Sequence, residues 1–386
     1  MTTKPAKNSL RIGLVAPHIF LHRDIMPQVI FSPGQLVIDL ANGLQELGAD
    51  VTLFSPGPVD VAVRNITADL TLFEQELAGR GDTYLDLLKK HPFTFVTLAR
   101  QVQAEMIAKA YAMANADELD VVHIYTNEED TAMPFAELCN KPVVFTHHDP
   151  FNFLVKYKNV FPKYKHLNWI SMSMAQRSGM PEDTNWFANI YHGIADDKFT
   201  PPIKPNGGYA AYFGRIIQPK GLHLAIAAAK KAGVPLKIAG KHYAGQKDTY
   251  WREHIEPQLG GDIEYIGFIK DDKAKQDFLG NASALIVPSL FDEPFGMVTI
   301  EALACGTPVI GLASGAIPEI IKHGENGLIV QKGTEPQMVA DIALAMRDAG
   351  RIDRVTVRRA FEARFTLRRM CTEHMDVYSE LAQKHL

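Results

Sequence analysis

At 386 residues, 46% of them hydrophobic and 22% charged, the chain has the composition of a globular protein and not of a disordered or fibrous one. Its length predicts about two domains, at roughly 150 residues per domain. The formal net charge of -4 excludes a general attraction to nucleic acid, so that any anionic ligand needs a local cluster of cations.

The three cysteines, Cys139, Cys305 and Cys371, fit no CxxC or metal-ligand spacing and are odd in number. This pattern favours a reduced, cytoplasmic protein. No stretch approaches the roughly 20 consecutive apolar residues of a membrane span, and the first apolar run is too short for a signal peptide. Peripheral attachment at the inner face of the membrane stays open as an alternative.

The first half of the chain alternates short apolar runs with helical patterns. The predicted strands are 11–16, 51–54, 121–125 and 142–146. A helix is predicted from about Gln35 to Leu47, because Leu36, Leu40 and Leu44 recur on one face. The alternation indicates a parallel sheet that is covered by helices on both faces.

A segment rich in Pro, Gly and Asp, 191–208, precedes a second series of the same alternation. The strands predicted there are 209–213, 236–240, 263–267, 284–288 and 307–311. We therefore expect two similarly built α/β domains, 1–195 and 208–364, joined by a linker at 196–207. The tail, 365–386, is predicted to be a helix that packs back towards the first domain.

Two glutamates in the stretch EPFGMVTIEALACG form the first candidate site. Ligands of open α/β sheets gather beyond the carboxyl ends of the strands, where this stretch is predicted. Glu293 is expected in a loop and Glu301 inside a helix that ends at Gly306. Two such carboxylates can hold opposite ends of an elongated ligand by accepting bonds from sugar hydroxyls. The alternative is two solvated charges, although the apolar run around Glu301 makes an unpartnered carboxylate costly.

The start of the same helix offers backbone donors. Pro294 and Gly296 keep the preceding residues out of the helix. The amides around Phe295, Gly296 and Met297 are then expected to face outward at the positive end of the helix dipole. Such an end is suited to an anion or to sugar hydroxyls.

The stretch FGRIIQPKGL is the second candidate site. It follows a predicted strand, turns at Gln218 and Pro219, and is expected to begin a helix near Lys220. Arg215 and Lys220 bring two cations to a helix end that is already positive, which indicates a bound anion such as a diphosphate. Taken alone, the motif is equally compatible with two solvated cations.

Two histidines end the strand in PVVFTHHDP. Neighbouring residues of a strand point to opposite faces, so that His147 and His148 are not expected to chelate one metal ion. One of them is expected on the ligand side. Either histidine alone is more often a structural residue than a catalytic one.

Together these motifs resemble the donor site of the family 4 retaining glycosyltransferases. The resemblance rests on EPFGMVTIEALACGTPVIG with SGAIPEII and GENGLIV, on GRIIQPKGL, on YHGIADDKF and on LQELGADVTLF. It covers most of the chain. It implies the GT-B fold, in which two Rossmann-like domains face each other across a cleft and a C-terminal helix crosses back.

The resemblance implies roles for the donor-site residues. Glu301 would hold the ribose hydroxyls of a nucleotide sugar, and Glu293 would bind the 3- or 4-hydroxyl of its sugar. Arg215 and Lys220 would clamp the diphosphate. Backbone groups complete the implied donor site, at Phe295, Gly296, Met297, Phe268 and Ile269, of which the last two would lie beside the base.

The first domain matches the family less closely. The family's Thr-x-His strand end aligns with Thr146 to His148, which makes His148 the better match beside the transferred sugar and His147 the fallback. Many relatives carry a Gly-Gly loop at the diphosphate, but the stretch FSPGQ retains only Gly34. The role of Gly34 in donor binding is therefore left open.

The reaction implied is transfer of a hexose from a UDP- or GDP-sugar to a hydroxyl of a glycan, lipid-linked or small-molecule acceptor. No Asp-x-Asp is present, so that neither a metal ion nor another cofactor is expected. Two other functions fit a pair of Rossmann-like domains: a sugar-nucleotide 2-epimerase and a non-catalytic nucleotide-sugar-binding protein. The segment 156–169, with four lysines among aromatic residues, is either a contact for an anionic membrane surface or a solvated loop with aromatic packing.

Overall fold

A computed structural model describes residues 9–29, 31–242 and 248–385. These residues form two α/β units, each built on its own sheet. The first unit contains the described residues up to Met172, residues 177–190 and the chain from Leu367 onward. The second unit contains residues 173–176 and 191–366.

The segment predicted to be a linker, 196–207, is part of the second unit. Phe199 is fully buried, and the Arg358 guanidinium donates hydrogen bonds of 2.7 Å to the carbonyl oxygens of Phe199 and Asp196. A buried aromatic ring and satisfied carbonyls hold this segment against its own sheet, so the second unit begins earlier than the composition suggested.

The first unit is a seven-stranded parallel sheet in the order β3-β2-β1-β4-β5-β6-β7. Its strands are β1 (Arg11–Val15), β2 (Asp50–Ser55), β3 (Arg64–Thr67), β4 (Val121–Tyr125), β5 (Val143–Thr146), β6 (Asn168–Ser171) and β7 (Trp186–Asn189). Its helices up to that point are α1 (Ser32–Glu46), α2 (Thr71–Arg80), α3 (Tyr84–Lys90), α4 (Pro92–Asn115) and α5 (Val155–Asn159).

The central strands of this sheet read as continuous apolar runs because helices cover both of their faces. All five residues of β4 are buried, and α4 contributes Met106, Ile107 and Ala110 to the core. The four strands predicted here are confirmed. The strands β3, β6 and β7 were not predicted, since their short sequences are too polar or too irregular to show a pattern.

The second unit is a six-stranded parallel sheet in the order β10-β9-β8-β11-β12-β13. Its strands are β8 (Ala210–Phe213), β9 (Leu236–Ala239), β10 (Ile263–Gly267), β11 (Ala284–Val287), β12 (Val309–Leu312) and β13 (Gly327–Val330). Its helices are α6 (Leu222–Ala232), α7 (Asp272–Asn281), α8 (Met297–Ala304), α9 (Ile317–Ile320), α10 (Glu335–Asp348) and α11 (Arg354–Arg364). The prediction of two Rossmann-like α/β domains is confirmed.

The last helix, α12 (Leu367–Lys384), packs on the first unit. It lies against α1, where a Cβ on Gly43 would come within 2.5 Å of the Cys371 Sγ, so that only glycine permits this approach. The Tyr378 hydroxyl is 2.6 Å from the His123 Nδ1 inside the core. A buried polar contact and a close helix crossing therefore join the end of the chain to the first sheet.

Candidate active site

The strand order of the second unit places the candidate residues at a switch point. β8 pairs with β9 on one side and with β11 on the other. The chain continues from β8 to β9 towards one edge of the sheet and from β11 to β12 towards the other edge. Ligands of open α/β sheets bind in the crevice beyond the carboxyl ends of such strands. Arg215 and Lys220 follow β8, and Glu293 follows β11.

Lys220 and Glu293 meet at this switch point. The Lys220 ammonium donates to the Glu293 Oε1, and the Ser289 hydroxyl donates to the same oxygen at 2.6 Å. The glutamate side chain is only 8% exposed. The lysine Nζ also lies 4.8 Å from the centre of the Phe291 ring. One oxygen of the carboxylate is therefore engaged, and the Glu293 Oε2 makes no hydrogen bond to any residue that the structure describes.

Glycine makes the turn that presents Lys220. The residues Gln218–Lys220 form a short 3-10 turn, and the α-helix begins two residues later than expected, at Leu222. Gly221 between them has a φ of +70°, and a Cβ there would lie 2.0 Å from the Pro288 carbonyl oxygen. The turn after β8 thus packs directly on the end of β11, which brings Lys220 to Glu293.

Arg215 has the exposure expected of an anion-binding residue. Its side chain is exposed, and within the described ranges its guanidinium makes no hydrogen bond or ion pair. The Tyr212 hydroxyl donates to the Arg215 carbonyl oxygen at 3.0 Å and fixes the local backbone. The guanidinium is therefore available for a bidentate contact with a phosphate.

The loop before α8 has the conformation that the sequence predicted. Gly296 has a φ of +102° and precedes the first helical residue, Met297. Phe295 is buried beside His192, with ring centres 5.0 Å apart. Among the described residues, no acceptor binds the amides of Phe295 or Gly296. These amides lie at the positive end of a helix, where they can donate to a ligand.

Glu301 has a buried cationic partner that the sequence did not indicate. The Lys275 Nζ lies 2.9 Å from the Glu301 Oε1, and the two side chains are only 16% and 12% exposed. This lysine comes from α7, 26 residues earlier in the chain. A partner of this kind was required because a lone carboxylate among apolar neighbours is costly to bury.

Phe268 and Ile269 follow the edge strand β10. Phe268 is 42% exposed and Gly267 before it has a φ of +85°. They lie at the same carboxyl edge of the sheet as Arg215, but two strands away from β8. Phe268 therefore offers an exposed ring at this edge of the sheet, and its contact with a base stays a prediction.

The first unit separates its two adjacent histidines. His147 is fully buried, its Nδ1 lies 3.1 Å from the Glu129 Oε2, and the rings of Phe151, Tyr157 and Phe161 surround it. Burial lowers the pKa of His147 to about 3 and raises the pKa of Glu129 well above its usual value. The structure therefore encloses the side chain of His147 in the core, and its fallback role as a donor contact stays a prediction.

His148 points the other way. Its side chain is 9% exposed, and its ring centre is 4.6 Å from that of Tyr125. Since His147 occupies the aromatic core, His148 is the histidine of the pair that is closer to solvent. Its role beside a transferred sugar stays a prediction.

Gly34 is enclosed by hydrophobic side chains. The helix α1 begins at Ser32, three residues earlier than expected, so that the stretch FSPGQ is its first turn. A Cβ on Gly34 would lie 2.9 Å from both the Met26 sulfur and the Phe31 ring. Its amide donates to the Phe31 carbonyl oxygen at 3.1 Å. The amide of Gly34 is thus engaged within its own turn, and a donor contact at Gly34 stays a prediction.

The aromatic residues of segment 156–169 belong to the core. Tyr157, Phe161 and Trp169 are each at most 2% exposed. Lys156 forms ion pairs of 2.8 and 3.0 Å with Glu128 and Asp130. The segment includes most of α5 and the start of β6, and its three buried rings pack in the core and do not face a membrane surface. A membrane contact by its lysines stays a prediction.

No group of three or more His, Cys, Asp or Glu side chains in the described ranges is arranged to hold a metal ion. Within the same ranges, no helix has both the length and the apolar character needed to cross a bilayer.

Sequence reasoning missed two residues of the site, Lys275 and Ser289. Lys275 lies on a polar, mostly exposed helix, and nothing in its neighbourhood marks it. Ser289 stands four residues before Glu293, a spacing that also occurs by chance in any loop. Only the tertiary contacts identify them.

Comparison with known proteins finds similarity to glycosyltransferases. Residues 194–361 match the family model described as glycosyl transferases group 1, which covers most of the second unit. An uncharacterized glycosyltransferase of Methanocaldococcus jannaschii is 36% identical over 125 residues, which are 31% of this chain and 30% of that protein. The phosphatidyl-myo-inositol mannosyltransferase of Mycobacterium leprae is 24% identical over 97% of each protein.

Solved structures share the fold. A sucrose-phosphate synthase from Thermosynechococcus elongatus matches with a TM-score of 0.72 at 19% identity, over 97% of this chain and 100% of that one. HepE from Anabaena, in complex with UDP and glucose, matches with a TM-score of 0.68 at 18% identity, over 96% and 99%. The fold is that of the GT-B proteins, and the matches support a glycosyltransferase.

Proposed function

We propose that this protein is a retaining glycosyltransferase of family 4, which moves a hexose from a nucleoside-diphosphate sugar to an acceptor hydroxyl. The observation that carries the proposal is the Lys220–Glu293 ion pair at the switch point between β8 and β11. The exposed guanidinium of Arg215 lies on the same connection. Two cations, Arg215 and Lys220, beside a carboxylate with one unbonded oxygen suit a ligand that carries both a diphosphate and a polyhydroxylated sugar.

In this proposal the second unit binds the donor. Arg215 and Lys220 hold the diphosphate, the Glu293 Oε2 accepts a hydroxyl of the sugar, and Glu301 accepts hydroxyls of the ribose. The amides of Phe295, Gly296 and Met297 lie at the sugar, and Phe268 and Ile269 lie beside the base. A UDP-sugar is the favoured donor, because a structural neighbour holds UDP and glucose, with a GDP-sugar as the alternative.

The chemistry proposed needs no metal ion. The leaving group is a nucleoside diphosphate, whose developing negative charge Arg215 and Lys220 stabilise. The departing phosphate oxygen takes the proton of the acceptor hydroxyl on the same face of the sugar, so that the anomeric configuration is retained. His148 keeps the place that the resemblance gives it, beside the transferred sugar. Full activity in EDTA is expected, and its loss with rescue by a divalent cation would argue against this chemistry.

The acceptor is a glycan, a lipid-linked molecule or a small molecule. We place the reaction in the cytoplasm, on the argument that the spacing of the three cysteines fits a reducing compartment. A relative whose name specifies phosphatidyl-myo-inositol makes a lipid headgroup one acceptor class for the first trial.

The test is a thermal-shift panel with UDP, GDP and ADP and with their glucose, mannose and N-acetylglucosamine forms. A ligand that binds only the folded state raises its melting temperature. We expect one nucleotide to do so, with a smaller shift in Glu301→Ala and an unchanged shift in Glu325→Ala, whose carboxylate pairs with Lys322 on the surface. No shift with any nucleotide would overturn the proposal.

Turnover assays distinguish the proposed glycosyltransferase from the epimerase and from the binding protein. An epimerase would convert UDP-N-acetylglucosamine with no acceptor present, and a non-catalytic binding protein would bind a nucleotide sugar without consuming it. A glycosyltransferase releases nucleoside diphosphate faster when the correct acceptor is added.

A further inference from the structure

The ion pair between Lys275 and Glu301 is largely enclosed, unlike a surface pair. The Glu301 side chain is 12% exposed and that of Lys275 is 16% exposed. The neighbouring lysine on α7, Lys273, is 69% exposed and pairs with Asp277 of the same helix. Since both lysines lie on one helix, the sequence gives no reason to distinguish them, whereas their environments differ completely.

Aromatic rings restrict where the Lys275 ammonium can lie. Its Nζ is 5.3 Å from the centre of the Phe213 ring and 5.8 Å from that of Phe199. A cation at such distances is attracted to the ring face. Phe213 is the last residue of β8, two residues before Arg215. The ammonium is thus fixed beside the strand that leads into the donor-binding connection.

Lys275 engages only one oxygen of its partner. It donates to the Glu301 Oε1 at 2.9 Å, and across the described ranges the Oε2 makes no hydrogen bond. The Oε2 is not shielded from solvent, so that it can accept a hydrogen bond from a ligand. The bond from Lys275 to the Oε1 gives the carboxylate of Glu301 a defined orientation and leaves the Oε2 open.

The same arrangement occurs at the other glutamate of the site. Ser289 and Lys220 both donate to the Oε1 of Glu293 and leave its Oε2 without a described partner. Two carboxylates of one site are therefore each held at a single oxygen by a lysine. This repetition points to ligand binding by the free oxygens and not to charge burial for stability alone, which buried ion pairs rarely provide.

We propose that Lys275 is a positioning residue for the donor's ribose. It holds Glu301 oriented so that the Oε2 accepts the 2′-hydroxyl of a nucleoside diphosphate, and it thereby makes the site discriminate ribose from 2′-deoxyribose. The inference rests on the proposed nucleotide-sugar function and assigns Lys275 no contact with the reacting atoms.

The experiment compares dissociation constants for UDP and 2′-deoxy-UDP by titration calorimetry. GDP and ADP with their 2′-deoxy forms are titrated in the same way. The wild type is expected to prefer the ribonucleotide about tenfold, the value of one charge-assisted hydrogen bond. In Lys275→Met the ribonucleotide should bind about tenfold more weakly, while the 2′-deoxy form binds as in the wild type, so that the preference disappears.

Lys273→Met is the matched control, because it removes a lysine from the same helix without touching Glu301. It should keep the wild-type preference. Lys275→Arg should keep most of it, since a cation stays beside the carboxylate. The double variant Lys275→Met/Glu301→Gln should equal Glu301→Gln alone if the lysine acts only through the glutamate.

Two results would overturn the inference. If Lys275→Met weakens UDP and 2′-deoxy-UDP equally, the lysine supports the fold and not the ribose contact. If it keeps the preference, Glu301 does not depend on Lys275. Failure of the proposed function gives a different result, because the wild type would then bind none of UDP, GDP and ADP.

Discussion

The second unit and the first unit begin with the same strand order, yet the charges that follow their central strands are arranged differently. After β8 and β11, Arg215 is exposed and unpaired among the described residues, and Glu293 keeps one oxygen free. After β4, Glu128 and Asp130 both pair with Lys156 and with Arg100, at 2.8 to 3.3 Å.

This difference shows that the location of a site and the availability of its charged groups have separate causes. Parallel topology decides which edge of a sheet gathers loops and helix ends. Whether the charges at that edge are available to a ligand depends on how far they already neutralise one another. We therefore expect substitutions of the charged residues after β8 and β11 to change binding and turnover, and substitutions of Glu128 and Asp130 to change chiefly stability.

The largest effect is expected for Glu293→Gln. The amide keeps the shape of the side chain but removes the charge that holds Lys220 and accepts the sugar hydroxyl. Loss of one preorganised polar group at a reacting centre costs about 10²- to 10³-fold in turnover. The measurement is release of nucleoside diphosphate from the donor that the thermal-shift panel selects. Glu325→Gln is the control, and turnover near the wild-type rate in Glu293→Gln would contradict the role of the pair.

A smaller loss is expected for Arg215→Gln. UDP should bind about tenfold more weakly, because a charge-assisted bond to the diphosphate is lost, whereas uridine should bind as before. Titration calorimetry with both ligands measures this contrast. Arg351→Gln, which removes a surface guanidinium that is 83% exposed, is the control. Equal weakening of uridine and UDP would remove Arg215 from the diphosphate site.

In the first unit, His374→Gln should change how stability depends on pH. Burial lowers the pKa of His374 to about 4, so that below pH 6.5 the unfolded chain takes up a proton that the folded chain does not. The wild type therefore loses stability as the pH falls from 6.5 towards 4. The variant lacks this loss. The difference in the free energy of unfolding between the wild type and the less stable variant should therefore shrink by about 2 kcal/mol between pH 7.5 and pH 5.

Urea unfolding of both proteins at the two pH values measures this change. His123, which is also buried in the same cluster, is present in both proteins and cancels to first order. Parallel stability curves for wild type and variant would show that His374 is not held neutral by the core.

The smallest effect is expected for Lys158→Glu/Lys163→Glu. Both lysines are exposed, but Tyr157 and Phe161 beside them are buried and cannot insert into a bilayer. Sedimentation with vesicles that contain phosphatidylserine should therefore be the same as for the wild type and for Lys230→Glu/Lys231→Glu on α6. If the wild type bound these vesicles and the Lys158→Glu/Lys163→Glu variant did not, the membrane contact would instead be established.

Much of the fold could be predicted because its cause is local. Buried parallel strands need continuous apolar runs, and these recur at 121–125 and 284–287 with helices between them. The carboxylates and cations after β8 and β11 were predicted in the same way, since a strand end followed by a helix start is visible in the chain. Short polar strands such as β7 were missed, because their pairing comes from neighbours and not from their own pattern.

The sequence by itself determined the two α/β units, the switch-point motifs and the need of Glu301 for a partner. It could not determine which residue that partner is, since Lys275 and Lys273 differ only in the direction each side chain takes from α7. Nor could it decide that His147 enters an aromatic core while His148 lies nearer solvent. Those outcomes depend on contacts between residues far apart in the chain, which only packing of the complete sheet and its helices creates.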